Sequence, residues 1–345
     1  MNPDRPAASS PRPHQIANWL FAIAFLVFLM VVVGGITRLT ESGLSITQWR
    51  PVTGAIPPLN EADWMKEFAL YKGTTQYQTV NRHMTLEEFK FIFFWEYIHR
   101  LLGRLIGLAF ALPFAWFAWK RRIPSGYGPR LGALLALGAL QGAIGWWMVT
   151  SGLVNRTEVS HLRLAVHLLT AFLIIGGLVW TALDLRTLAR NAGARPARLS
   201  GLSAAILLLL ALQLCLGAFT AGLRAGYAFS TWPLMGDSLF PADTPMITPL
   251  WRNIVDNPIV VQFTHRWLAW IVGVALFLLA ARAHRWGAPK QGAALMALVA
   301  LQIGIGIATL LTGVELWIAV AHQAVGALLV AATVTCCHWM DHLKA

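Results

Sequence analysis

Charge is scarce in this chain. Asp, Glu, Lys and Arg together make up 12% of its 345 residues, while 57% are hydrophobic. A soluble domain carries about twice that share of charge, so a chain wetted over its whole surface is excluded. Cysteine is scarcer still. Cys215, Cys336 and Cys337 all fall inside apolar runs, which excludes a disulfide framework in the outer loops. The adjacent pair reads as two small apolar residues. Acidic residues are few, 15 against 27 basic, for a net charge of +12. Such an excess can mark a nucleic-acid binder. Here the basic residues sit in short clusters between apolar runs, which is the pattern of topology signals, and no nucleic acid is expected. No small-residue cleavage site follows the first apolar run, so it reads as a retained helix rather than a leader.

What is present is length and apolarity in blocks. Eight runs, at about 16–36, 90–119, 131–150, 161–183, 200–222, 258–282, 292–312 and 318–339, each approach or exceed the roughly 20 residues needed to cross a bilayer. The expected fold is an all-α polytopic membrane protein. The basic clusters Arg5/Arg12, Lys120–Arg122 with Arg130, Arg186/Arg190/Arg195/Arg198, Arg282/Arg285/Lys290 and Lys344 fall on one side of that arrangement. By the positive-inside rule both termini are cytoplasmic. A bacterial inner membrane is expected, with a mitochondrial inner membrane as the alternative because the N-terminal tail bears Arg and Ser. In the long outer loop, Asn60 to Asp63 reads as a cap on a short amphipathic helix at the membrane interface, and Thr85 to Glu88 as a capping box. Asn257-Pro258 reads as a further helix start.

The chain repeats itself. EYIHRLLGRLIG (96–107) lies over QFTHRWLAWIVG (262–273), LQGAIGWWMVTSG (140–152) over LQIGIGIATLLTG (301–313), AVHLLTAFL (165–173) over VAHQAVGAL (320–328), and GGITRLTESGLSITQW (34–49) over GAFTAGLRAGYAFSTW (217–232). Four spans are followed by four similar ones. An even number of helices per half makes this a parallel repeat about an axis along the membrane normal, read as two pseudo-symmetric four-helix bundles. The expected domains are a disordered cytoplasmic tail (1–15), an N-terminal bundle (16–183, with the outer loop 37–89), a basic cytoplasmic linker (184–199) and a C-terminal bundle (200–340).

Of ten histidines, four fall in the repeat and inside spans: His99, His167, His265 and His322. Counted from the charged inner ends, each lies about 25–30 Å out along its helix, near the outer edge of the hydrocarbon. The other six, among them His161 and His338, read as solvated or interfacial. Ionisable residues within spans are costly and mark function by default. Separate histidines, each bonded to a neighbouring helix, are one reading. Repeat-related pairs at one depth favour another, in which two neutral imidazoles per bundle fill the axial positions of a haem iron. Arg100 and Arg266 then become candidate partners for haem propionates, against snorkelling to lipid phosphate. Gly103 and Gly107 would admit a macrocycle or a neighbouring helix. A pair of histidines per bundle leaves too few fixed donors for a closed zinc site, and the clustered cysteines lie at the other end.

The halves differ at one chemical position. The first has Glu96 a turn before its histidine, the second Gln262. A carboxylate beside a haem can move protons or position water, while an amide cannot titrate. The first half thus reads as the reacting half and the second as an electron-transfer half. A structural bond from Glu96 to Arg100 or Arg104 is the competing reading.

GGITRLTESGLSITQWRPVTGAIPP (34–58), EYIHRLLGR (96–104), RLAVHL (163–168), FTHRWLAW (263–270) and AHQAVGALL (321–329) resemble the haem A synthase family over nearly the whole chain. The resemblance implies an eight-helix enzyme that oxidises a methyl group of haem O to a formyl group, giving haem A for cytochrome c oxidase. It implies His99 and His167 as axial ligands of the substrate haem, His265 and His322 as iron ligands of a haem b cofactor, and Glu96 as the essential glutamate. Some members carry cysteine pairs in outer loops; this chain does not, so any thiol-dependent step is absent. Implied partners are haem O, an electron donor, haem O synthase and oxidase assembly factors, with membrane lipid around the protein and a homo-oligomer left open. A non-catalytic b-type membrane cytochrome is the alternative function. A transporter with parallel repeats is a second, disfavoured because the polar residues gather at the outer edge rather than at mid-membrane.

Overall fold

The computed structural model describes residues 11–342 apart from Val52 and Asn155. The described residues form eleven α-helices: α1 Pro13–Leu39, α2 Glu61–Lys72, α3 Thr75–Thr79, α4 Leu86–Trp119, α5 Gly128–Leu153, α6 His161–Arg190, α7 Gly201–Gly222, α8 Asn253–Asp256, α9 Pro258–Arg285, α10 Pro289–Leu311 and α11 Leu316–His342. Eight of them (α1, α4–α7 and α9–α11) are long and apolar enough to cross a membrane. The chain is an all-α, multi-pass membrane protein.

The boundaries follow local chemistry. The Asn60 side chain accepts from the Asp63 N–H at 2.9 Å and starts α2. Thr85 and Glu88 form a reciprocal capping box ahead of α4. Asn257 accepts from the Ile259 N–H at 3.1 Å, with Pro258 at the first helical position, where a missing N–H costs nothing. Two expectations shift. Helix α1 begins at Pro13, inside the expected tail, again on a proline suited to a first turn; residues 1–10 and Lys344 lie outside the described residues. Helix α6 runs on through Arg190, so the first seven residues of the expected linker are helical.

Helices α1, α4, α5 and α6 pack among themselves, as do α7, α9, α10 and α11; the two sets meet where α1 touches α11, and α6 touches both α7 and α11. Of the eight spans, α1, α6 and α11 are the most buried, with Leu20, Leu178, Leu185 and Met340 among their fully enclosed side chains. The seam is therefore the best-packed part of the molecule. Charges close both of its ends. On the inner side Asp184 of α6 accepts from Arg130, from the Ala197 N–H (2.9 Å) and from His338 Nε2 of α11 (2.9 Å). On the outer side Arg38 pairs with Glu158 (2.6 Å), and Arg224 pairs with both Glu158 and Glu41. Burial pulls the Arg224 guanidinium down, but the carboxylates of Glu158 and Glu41 outweigh it and hold its pKa above the ordinary value.

The expected amphipathic helix α2 is present, and its apolar face is covered by protein. Phe68 and Tyr71 pack on Phe89, Ile92 and Phe93 at the outer end of α4, with Phe68 and Phe89 stacked at 4.9 Å. This small second core holds the outer loop over the first half.

Candidate haem site

Each of the four repeat histidines rests against a glycine of another helix. A Cβ on Gly34 would come within 3.1 Å of His99 Cε1, one on Gly145 within 3.0 Å of His167 Cε1, one on Gly217 within 3.1 Å of His265 Cε1, and one on Gly306 within 2.8 Å of His322 Cε1. Gly34 and Gly217 hold the same place in the repeat, as do Gly145 and Gly306. The same notch thus seats the same edge of the ring four times. His99 lies within electrostatic reach of His167, and His265 of His322.

These rings are poorly partnered. Nδ1 of His99, His167 and His322 is buried without a hydrogen bond, and among the described residues the imidazoles of His99 and His167 make no side-chain hydrogen bond at all. A buried polar atom left unpaired costs about 1–3 kcal/mol, and each such atom calls for an explanation. In the second half Gln213 lies 3.0 Å from His265 Nδ1 and Gln302 3.4 Å from His322 Nε2, so only the first pair is wholly unpaired. Two neutral imidazoles per half, each seated on a glycine, suit the axial positions of a haem iron.

Glu96 is buried and fully engaged. One carboxylate oxygen accepts from the Ser45 hydroxyl (2.7 Å) and the Ile46 N–H (2.6 Å), the other from Arg100 (2.5 Å). Arg100 also donates to the carbonyls of Ile46 (2.7 Å) and Gln48 (3.0 Å). In the second half Arg266 donates to the carbonyls of Phe229 (3.0 Å) and Leu234 (3.2 Å). Ile46 and Phe229 are repeat equivalents, so the arginine after each histidine straps the same loop carbonyl. Gln262 donates to that carbonyl as well, at 3.0 Å, and its own oxygen is buried without a partner. The glutamate holds its loop by accepting, the glutamine by donating. Both candidate propionate partners spend donors on the loops that roof the bundles.

A family model described as cytochrome oxidase assembly protein, COX15-CtaA, matches residues 17–334. The chain belongs to this cytochrome oxidase assembly family. It is 59% identical to a heme A synthase of Rhizorhabdus wittichii over 99% of this chain and 98% of that one. It is 54% identical to a heme A synthase of Sphingopyxis alaskensis, over 98% and 96%, and 47% identical to one from Rhodospirillum centenum, over 98% and 90%.

In this member of the family the two halves also differ between their second and third spans. Gly273 of α9 is buried under α10: a Cβ there would lie 3.2 Å from Ile303 and 3.8 Å from Val299. Carrying the repeat offset inward, Ile303 corresponds to Gly142 and Val299 to Gly138. Gly107, the counterpart of Gly273, has nothing within 4 Å of its Cβ position, and the same holds for Gly138 and Gly142. The backbones of α4 and α5 also lie farther apart than those of α9 and α10. Of the other glycine singled out from sequence, Gly103 is met by the Met30 methyl at 3.2 Å.

Two histidines assigned to solvent or interface are buried instead. His338 is 4% exposed and bonded to Asp184; His161 is 8% exposed, with Asp256 3.2 Å from Nε2 and Phe219 edge-on to its ring. Both lie on the seam, which hydropathy along one helix does not reveal.

Proposed function

We propose that this protein converts haem O to haem A by oxidising one ring methyl through an alcohol to an aldehyde, for use in cytochrome c oxidase. The observation that carries the proposal is its near-full-length similarity, at 59% identity, to a heme A synthase. The first half (16–183) takes the substrate, with its iron between His99 and His167. In the second half (200–340) His265 and His322 would hold haem b, which would supply one-electron transfer. The reciprocal contacts α1–α11 and α6–α7 support a pseudo-two-fold arrangement of the halves.

Two asymmetries favour the first half as the reacting one. Glu96 can exchange a proton there, once either Arg100 or the Ser45–Ile46 pair releases one of its oxygens. The glycine-faced gap of Gly107, Gly138 and Gly142 gives the isoprenoid tail of haem O a lateral path from the lipid, where that tail is most soluble. In the second half the same gap is closed by Val299 and Ile303. Arg100 and Arg266, bonded to the carbonyls of the outer loops, are the residues that would meet the propionates of the bound haems. The basic clusters support a bacterial inner membrane with cytoplasmic termini.

The test is pigment extraction from purified protein after coexpression with a haem O source. A formyl haem in the extract is the expected result. Haem b alone would make the protein a b-type cytochrome and overturn the proposal.

A further inference from the structure

Gln213 of α7 lies one helical turn before Gly217, the glycine that seats His265. Its amide Nε2 donates to the His265 carbonyl at 3.0 Å and sits 3.0 Å from His265 Nδ1. Its amide oxygen is buried without a partner. The matching residue of the first half, one turn before Gly34 on α1, is Met30, which turns its methyl toward Gly103, while His99 Nδ1 remains buried and unpaired. A thioether is at best a weak acceptor. The same ring in the same glycine notch therefore has a strong polar neighbour in one half and none in the other.

We infer that Gln213 is a positioning residue that makes the two haem irons electronically unequal. The inference rests on the reading of His99/His167 and His265/His322 as axial pairs. A ring that gives Nε2 to iron keeps its proton on Nδ1, and what that proton bonds to sets the ring orientation and basicity. The terminal torsion of Gln is broad and roughly two-fold, so a turn of the amide that gives up the bond to the His265 carbonyl brings the free oxygen of Gln213 to that proton. Accepting it makes His265 a stronger donor to iron, favours the ferric state and lowers the potential of the second-half haem. His99, lacking an acceptor, leaves its iron at a higher potential. Electrons then run downhill from the second half toward the first.

Optical redox titration of the full-length, haem-loaded protein tests this. The second-half haem is identified as the signal removed by His322→Ala. Gln213→Met should raise the midpoint potential of that haem alone, and Gln213→Glu, a stronger acceptor, should lower it. Met30→Gln should lower the potential of the other haem. Unmoved potentials in a loaded Gln213→Met protein, shifts of the same sign in both Gln213 variants, or equal shifts of both haems would overturn the inference while leaving the axial pairs standing. If Gln213→Met does not load, opposite or absent shifts in Gln213→Glu and Met30→Gln decide it. A parent protein that binds no haem removes the axial reading, and this inference with it.

Discussion

Gly273 lies under Ile303, while Gly107, in the matching place of the other half, faces open space. Two differences leave it open: the α4 and α5 backbones lie farther apart than those of α9 and α10, and α5 has Gly138 and Gly142 in the places of Val299 and Ile303. Closing the first gap with the second half's own residues, Gly138→Val and Gly142→Ile, should obstruct the tail of haem O. The expected loss is at least about tenfold in kcat/KM, the scale of a misfit in an apolar pocket. Haem b content should be unchanged. Full activity in the double variant would show that the tail travels elsewhere.

The glycine notches make a graded prediction. A Cβ at position 306 would come within 2.8 Å of His322, and one at 34 within 3.1 Å of His99. Overpacking of this kind costs about 1–3 kcal/mol. Gly306→Ala should reduce occupancy of the second-half haem, and Gly34→Ala should do the same, more mildly, in the first half. Haem-to-protein ratios and low-spin spectra of the two variants read the outcome; retention of both haems in both variants refutes the seating role.

Glu96→Gln keeps the size of the side chain but presents an amide where three donors converge. It should abolish haem A formation while the second-half haem stays bound. Ser45→Ala removes one donor and leaves the carboxylate, so it should weaken the loop by about 1 kcal/mol and keep most of the activity. Equal losses in the two variants would reduce Glu96 to a loop anchor.

At the inner end of the seam, Asp184→Asn takes the partner from Arg130 and His338 together. Breaking a buried ionic cluster from one side costs about 3–5 kcal/mol. The expected result is a clear fall in Tm in detergent with unshifted haem spectra. A Tm within a degree or two of the parent would show that the cluster carries no stability.

The spans, the caps at Asn60, Thr85 and Asn257, and the four repeat histidines were legible because each depends on neighbours in sequence or on a fixed repeat offset. The burial of His338 was not. It arises from α6 meeting α11, with Asp184 and His338 separated by 154 residues, and a histidine near a charged helix end reads equally well as solvated. Gln213 sits within an otherwise apolar run, LLLLALQLC, and its importance appears only once α7 is seen against α9. Glu96 stood out from its contrast with Gln262, but Ser45 and Ile46 did not, since nothing local says that the outer loop folds back onto α4. What hydropathy and periodicity carry is each helix; which faces meet is a property of the assembled bundle.

Glu41 and Arg224 hold the same register in the repeat, share the left-handed backbone conformation (φ 56° and 53°), and pair with each other. Two copies of the first half joined in this manner would confront carboxylate with carboxylate, and two copies of the second guanidinium with guanidinium. With opposite signs at the one shared register, the contact joins unlike halves and would push like ones apart.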